Sequence, residues 1–369
     1  MERVYKWDFD SLVKLQEEYT EKMENPKEEY LKEQYQEIID EISLMLFMVI
    51  ASDGSLSSEY VRQQELLDEI RGMEMVPDYS DLTDDLVDEL IPRLANLSIL
   101  PNIKYQKKIN MDECISILCD VILKVFGKKH YDVFNEYILS KNDSILLSNV
   151  LESASTTTLN VDGVDRHYIA VTNKNNFEMF SNLIHEIGHL FRLVNNEYII
   201  EEDDKLYEFE AYMYQFKILD YMIENNIYRE EALVAMVEIF KCIERVAVLI
   251  DASKQYGLKR MFNIGNLKDI CAKMNVYDRA YLENTTNLLE YLAYIYSRNI
   301  LNYIYSSLFA IEIIGEEDEK KIYNYVIKNI GNMNSDMYVK NILNDPISFN
   351  GIRKYKEYRS HILSLINKD

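Results

Sequence analysis

The sequence has few of the residues that build turn-rich folds. Its 369 residues include only ten glycines and five prolines. Glycine and proline mark the tight turns of sandwiches and barrels, so their scarcity argues against those architectures and favours long helices. Hydrophobic residues make up 48% of the chain, which is enough to fill a sizeable core. The composition therefore predicts a large, mainly α-helical protein.

Cysteine and basic charge are also scarce. The four cysteines, Cys114, Cys119, Cys242 and Cys271, form no C-x-x-C pair, so the sequence lacks a zinc ribbon or dithiol motif and we interpret them as reduced core residues. Acidic residues outnumber basic ones by 63 to 40, giving a formal charge of −23. Phosphate binding needs a concentrated basic patch, so no nucleic-acid partner is expected.

Long apolar runs and nucleotide motifs are missing as well. No stretch approaches the roughly 18 apolar residues of a membrane span, and the charged start, MERVYKWDFDSL, lacks the apolar core of a signal peptide. There is no G-x-x-x-x-G-K-[ST], G-x-G-x-x-G or G-x-S-x-G motif. We therefore predict a soluble, cytoplasmic protein without membrane contact. The sequence makes no prediction of oligomeric state.

The distribution of prolines suggests how the chain is divided. Four of the five lie in the first 101 residues, and residues 102–345 contain none. We predict a helical N-terminal subdomain over 1–103 and a second domain over 104–369. Within the second domain, Arg166–Thr172 (RHYIAVT) has β-branched and aromatic residues in rough alternation, which predicts a strand. Asn175 and Glu178 then have capping-box spacing, which predicts a helix that runs to about Val194.

The motif with the clearest chemistry lies inside this predicted helix. Residues 185–189 read His-Glu-Ile-Gly-His. Four residues apart on a helix, His185 and His189 project from one face and can bind one metal ion, while Glu186 points towards the open side of that ion. Such a set suits zinc, with one ion per chain, and Glu186 would take a proton from water. The alternative is a pair of packing histidines around a surface glutamate.

A third zinc ligand has to come from elsewhere in the sequence. The segment Lys205–Asn226 (KLYEFEAYMYQFKILDYMIENN) predicts a second helix with two carboxylates, Glu208 and Glu210. From their positions alone, either could reach the metal.

Taken together, these motifs resemble the thimet oligopeptidase and oligoendopeptidase F family of zinc metallopeptidases. FSNLIHEIGHLF is similar to that family's zinc helix, and the preceding RHYIAV is similar to its edge strand, along which the peptide substrate is held. The resemblance implies a mainly α, zincin-like fold. Two helical subdomains would flank a channel, with a small β-sheet near the active site. It also implies short peptide substrates and zinc as the cofactor.

The resemblance further suggests roles for individual residues. With Glu208 as the metal ligand, Ala211 falls at the family's small position. The other register, which takes Glu210 and Ala211 as the Glu-Ala pair of thermolysin-like or phage-repressor-cleaving peptidases, stays open. The segment YLAYIYSRN (291–299) is similar to the family's tyrosine-rich segment, so Tyr294 and Tyr296 would donate hydrogen bonds to the tetrahedral intermediate. Otherwise they are core or groove-lining aromatics.

Three functions follow from the sequence. The first is a metalloendopeptidase of short oligopeptides in which Glu186 activates zinc-bound water. The second is a site-specific regulatory metalloprotease acting on a protein partner. The third is a catalytically weak peptide-binding protein on the same fold, suggested because the chain lacks the family's histidine before the tyrosines and its glycine after them.

Overall fold

The structure, a computed structural model, describes ten α-helices, one short π-helix (Asn135–Leu139) and three strands within the following residues. These are 5–24, 31–52, 90–141, 144–150, 154–161, 164–195, 206–256, 300–314, 319, 321 and 347–366. The helices are α1 Phe9–Glu24, α2 Leu31–Ser52, α3 Ile91–Ala95, α4 Met111–Val125, α5 Lys128–Phe134, α6 Phe177–Asn195, α7 Phe209–Glu224, α8 Arg229–Tyr256, α9 Ile300–Ile313 and α10 Ile347–Ile366. The strands are β1 Ile145–Ser148, β2 Ser155–Val161 and β3 Val164–Thr172. The prediction of a mainly helical protein with a small sheet is confirmed.

The chain forms two compact units that are discontinuous in sequence. The first unit comprises residues 1–64 and 108–194, and the second comprises residues 65–107 and 195–369. The division predicted from the sequence, 1–103 and 104–369, stays a prediction. None of the described helices is long and apolar enough to cross a membrane.

A three-stranded mixed sheet lies in the first unit. Its order is β1-β3-β2, with β1 parallel and β2 antiparallel to β3. The strand predicted over Arg166–Thr172 is confirmed as β3. Its expected place at the sheet edge is wrong, because β3 pairs on both sides and is the central strand. Among the described strands, β1 and β2 are the outer ones.

One face of this sheet packs against α1 and α2. The two helices pack against each other, and α2 also contacts β1 and β2. Trp7, fully buried, meets the Tyr168 ring edge-on at 5.7 Å between centroids. The buried cluster consists of Trp7, Leu12, Leu15, Tyr19, Ile42, Met45, Leu46, Val49, Ala51, Leu146, Leu159, Val161, Tyr168 and Ala170. Since side chains alternate along a strand, Thr156 and Thr158 lie on the other face.

The start of α6 differs by one residue from the predicted cap. Asn176, not Asn175, caps the helix: its Oδ1 accepts hydrogen bonds from the backbone N–H of Glu178 at 3.1 Å and of Met179 at 3.5 Å. Asn175 instead adopts a φ of 48°, a left-handed conformation that asparagine tolerates. Glu178 forms no capping box, because its carboxylate pairs with Lys174 Nζ at 2.6 Å. The predicted helix itself is confirmed.

The second unit is built around α7, α8, α9 and α10. α7 carries buried residues all around its circumference, as expected of a helix enclosed by others. α8 packs against α3, α7, α9 and α10. Phe240 on α8 meets the rings of Tyr355 and Tyr358 on α10 edge-on, at 5.5 and 5.8 Å between centroids. Phe216, in the middle of α7, joins this aromatic group at 6.5 Å from Phe240 and 5.9 Å from Tyr358 between centroids. At the start of α7, next to Glu208 and Glu210, Phe209 contacts Phe309 of α9 at 5.2 Å between centroids.

Candidate metal centre

The two histidines of the sequence motif lie on α6, which is firmly held in its unit. Phe180, Ile184 and Phe191 on this helix are fully buried. His185 and His189 are half-buried, with ring centroids 5.0 Å apart and planes at 85°. The helical spacing of four therefore brings the two imidazoles together, as the sequence predicts.

Glu186 points to the sheet side of α6 and is nearly buried, with 5% of its surface exposed. The hydroxyl of Thr156, on β2, lies 2.8 Å from its Oε2 and 3.1 Å from its backbone carbonyl oxygen. A carboxylate is costly to bury without hydrogen bonds, so this donor compensates part of the cost of burying the Glu186 side chain and holds it in place. The sequence analysis missed Thr156, because no local pattern links β2 to α6.

The two candidate carboxylates occupy different positions at the start of α7. Glu208 directly precedes the helix, with φ −93° and ψ 2°, and is 3% exposed. Glu210 lies in the first turn and is fully buried. Ligand atoms of His185, His189 and Glu208 all lie within 4.8 Å of one another, and Glu210 is not in this set.

The donor set fits a zinc ion. Zinc prefers imidazole nitrogen and carboxylate oxygen at about 2.0–2.2 Å in a tetrahedron, which places ligand atoms roughly 3.5 Å apart. The separation of at most 4.8 Å between these three is therefore closed by small side-chain movements. Two imidazoles and one carboxylate also leave the fourth position for water or substrate, the arrangement of catalytic rather than structural zinc sites.

Two other described histidines have structural surroundings. His130 on α5 packs between the rings of Phe126 and Phe191, which are tilted against it, with centroids 5.5 and 5.4 Å away. Burial, with a smaller contribution from the neighbouring Lys129 charge, lowers the pKa of His130 to about 4. It is therefore neutral at pH 7 and supports α6 through Phe191. His167 is buried on β3, where its Nδ1 lies 2.8 Å from the Thr158 hydroxyl.

The predicted oxyanion donors are two tyrosines of the segment 291–299. Tyr294 and Tyr296 lie outside the described residues. Their role stays a prediction.

Comparison with known proteins supports the fold. No protein-family model and no curated protein matches the sequence. Among solved structures, the chain is similar to a candidate oligoendopeptidase F from Bacillus anthracis str. Ames, with a TM-score of 0.54 and 11% identity over 98% of this chain. A second candidate oligoendopeptidase F gives a TM-score of 0.57 and 12% identity over 92% of this chain. PZ peptidase A, solved with an inhibitor, gives a TM-score of 0.54 and 11% identity over 92% of this chain.

These likenesses define a fold class. The chain has the helical fold of oligoendopeptidase-like peptidases, as the sequence motifs predicted. It spans 66%, 71% and 67% of the length of the second oligoendopeptidase F, the Bacillus anthracis protein and PZ peptidase A, respectively. At 11–12% identity, the similarity concerns the fold alone.

Proposed function

We propose that this protein is a zinc-dependent metalloendopeptidase that hydrolyses peptide bonds in short oligopeptides. The observation that carries the proposal is the convergence of His185, His189 and Glu208, with ligand atoms within 4.8 Å of one another. The carboxylate between the two histidines in sequence, Glu186, supplies a base. The fold shared with oligoendopeptidase-like structures supports a peptide as the substrate.

His185, His189 and Glu208 would hold one zinc ion per chain. Bound zinc supplies a Lewis acid, which lowers the pKa of water towards neutrality and polarises the scissile carbonyl. Each imidazole would bind the metal through the lone pair of one ring nitrogen.

Glu186 is the general base of the proposed reaction. Its carboxylate accepts a proton from the attacking water and then delivers that proton to the leaving amine, so it is regenerated at the end of the cycle. Its near-complete burial strengthens its electrostatic interaction with the reacting groups, since little water screens them.

Tyr294 and Tyr296 are proposed as donors to the oxyanion of the tetrahedral intermediate. This role follows from the family resemblance of the segment 291–299. Donors aimed at developing negative charge stabilise the transition state more than the ground state, so they would raise kcat rather than affinity.

The test compares the wild type with Glu186→Gln, Glu208→Gln and Glu210→Gln. Zinc per chain is measured by emission spectrometry, and turnover is measured on a quenched fluorescent peptide library with and without chelator. Glu186→Gln should keep about one zinc and lose at least about 100-fold in kcat, because the amide cannot accept the proton. Glu208→Gln should lose zinc, because an amide oxygen is a poorer zinc ligand than a carboxylate.

Glu210→Gln is the matched control, since it removes an equally buried carboxylate two residues away. It should keep zinc. Loss of zinc from Glu210→Gln alone would assign the third ligand to Glu210. A wild type that binds zinc but cleaves no peptide would refute oligopeptide hydrolysis and favour a partner-specific protease or a binding protein.

A further inference from the structure

Thr156 on β2 is the one side chain outside α6 that the described structure shows bonded to the Glu186 carboxylate. We propose that Thr156 is a positioning residue for Glu186, setting which carboxylate oxygen faces the attacking water. This inference rests on the proposed function, because it assigns Thr156 a part in the same reaction.

The backbone of Thr156 is fixed by the sheet. Thr156 pairs with Ile169 of the central strand β3, and Ile169 pairs in turn with Ile145 of β1. Threonine is β-branched, so its side chain has few accessible χ1 rotamers. The hydroxyl of Thr156 is therefore held at a defined point above α6.

Both acceptors of the Thr156 hydroxyl belong to Glu186. The Oγ1 lies 2.8 Å from Oε2 and 3.1 Å from the backbone carbonyl oxygen of the same residue. A hydroxyl carries one proton, and the shorter distance and the negative charge both favour donation to Oε2. The contact therefore joins the sheet to this carboxylate in particular.

The two carboxylate oxygens of Glu186 would therefore have different roles in catalysis. Oε2 is engaged by Thr156, and among the described residues no donor bonds to Oε1. Oε1 is thus the oxygen positioned to accept the proton of water. Without the Thr156 hydroxyl the carboxylate would rotate among several side-chain conformers, and only some of them are productive, so kcat falls while peptide affinity is kept.

Two substitutions test this role. Thr156→Val is nearly isosteric and removes only the hydroxyl, whereas Thr156→Ser keeps the hydroxyl and removes the methyl group. Thr157→Val is the matched control, because it is the same substitution on the next residue of β2, whose side chain lies on the other face of the sheet. Each variant is checked for zinc content and melting temperature before kinetics.

Thr156→Val should lower kcat by about 10- to 100-fold, with KM within about twofold and zinc content unchanged. Thr156→Ser should recover most of that loss, and Thr157→Val should match the wild type. A merely structural role would instead lower the melting temperature and affect Thr156→Ser alongside Thr156→Val. A Thr156→Val enzyme with kcat within twofold of the wild type would overturn the proposal.

A structural readout separates this inference from the proposed function. Crystal structures of the metal-free wild type and the two Thr156 variants should show one Glu186 conformer in the wild type and in Thr156→Ser. In Thr156→Val, the Glu186 carboxylate should be displaced or split between conformers. An unmoved carboxylate in Thr156→Val refutes the positioning role, even if the wild type cleaves no peptide. A displaced carboxylate shows that Thr156 positions Glu186, and the kcat of Thr156→Val then decides whether that positioning serves catalysis.

Discussion

Replacing Asp220 by asparagine should stabilise the protein more at pH 8 than at pH 5. Asp220 lies on α7 and accepts a hydrogen bond from the Tyr358 hydroxyl on α10 at 2.8 Å. Burial raises the pKa of this carboxyl from 3.8 to about 7, against the opposing effect of the Tyr358 bond. The charges of Glu224 and Glu319 raise the pKa further, and that of Lys217 lowers it.

The sign of the pH dependence follows from this raised pKa of Asp220. Between pH 3.8 and about 7 the folded protein holds a proton that the unfolded chain has lost, so the free energy of unfolding falls as pH rises. In this range the free energy of unfolding falls by about 1.4 kcal/mol for each pH unit. Above pH 7 the ionised carboxylate therefore destabilises the fold by about 4 kcal/mol relative to the protonated form. From pH 5 to pH 8 the loss is about 3 kcal/mol.

Asparagine cannot ionise, and its side-chain oxygen still accepts the Tyr358 bond. The gain in unfolding free energy of Asp220→Asn over the wild type should therefore be about 3 kcal/mol larger at pH 8 than at pH 5. Urea titrations of metal-free protein at both pH values measure it. Glu357→Gln, which removes an exposed carboxylate next to Tyr358, is the control. It should change the free energy of unfolding by less than about 0.5 kcal/mol at either pH. An equal gain at both pH values would refute the reasoning.

Two further predictions concern stability. Arg359→Met should lower the free energy of unfolding by about 3–5 kcal/mol, because it leaves the mostly buried Glu244 carboxylate without the guanidinium that lies 2.6 Å away. Calorimetry of Arg359→Met and Arg359→Lys checks this, and equal melting temperatures of Arg359→Met and the wild type would contradict it. Asn176→Ala should lower the free energy of unfolding by about 1 kcal/mol, because the α6 cap is lost. Asn176→Asp should leave the free energy of unfolding nearly unchanged. Urea midpoints test this, and an unaffected Asn176→Ala would show that the cap contributes nothing.

The features that the sequence predicted are those that depend on local pattern. Scarcity of glycine and proline, with apolar residues at helical spacing, predicted the helical class, and the spacing of His185 and His189 predicted their proximity on α6. The cap of α6 was placed one residue too early. Asn175 and Asn176 are adjacent and equally suited to capping, and the choice depends on the left-handed turn at Asn175, which residue preferences do not determine.

The features that the sequence did not predict are those that depend on pairing between distant segments. β1 has only four residues, Ile145–Ser148, too few to show an alternating pattern, and β2 (STTTLNV) is mostly polar. With neither neighbour visible in the sequence, nothing there corrected the edge position that the family resemblance of RHYIAV implied. The central place of β3 becomes visible only once Ile145 and Thr156 are found on either side of Ile169.

The choice between Glu208 and Glu210 shows where local reasoning ends at the proposed site. Two residues apart on a helix, their side chains would point about 200° apart, so the start of α7 decides which one can face the histidines. That start lies at Phe209. Glu208 directly precedes the regular helix: its carbonyl oxygen accepts a hydrogen bond from Tyr212 N–H at 3.1 Å, but its φ of −93° and ψ of 2° depart from the helical repeat that sets the direction of Glu210. The same argument applies to Thr156: its chemistry was visible in the sequence, but its target, Glu186, was set by the packing of the sheet on α6.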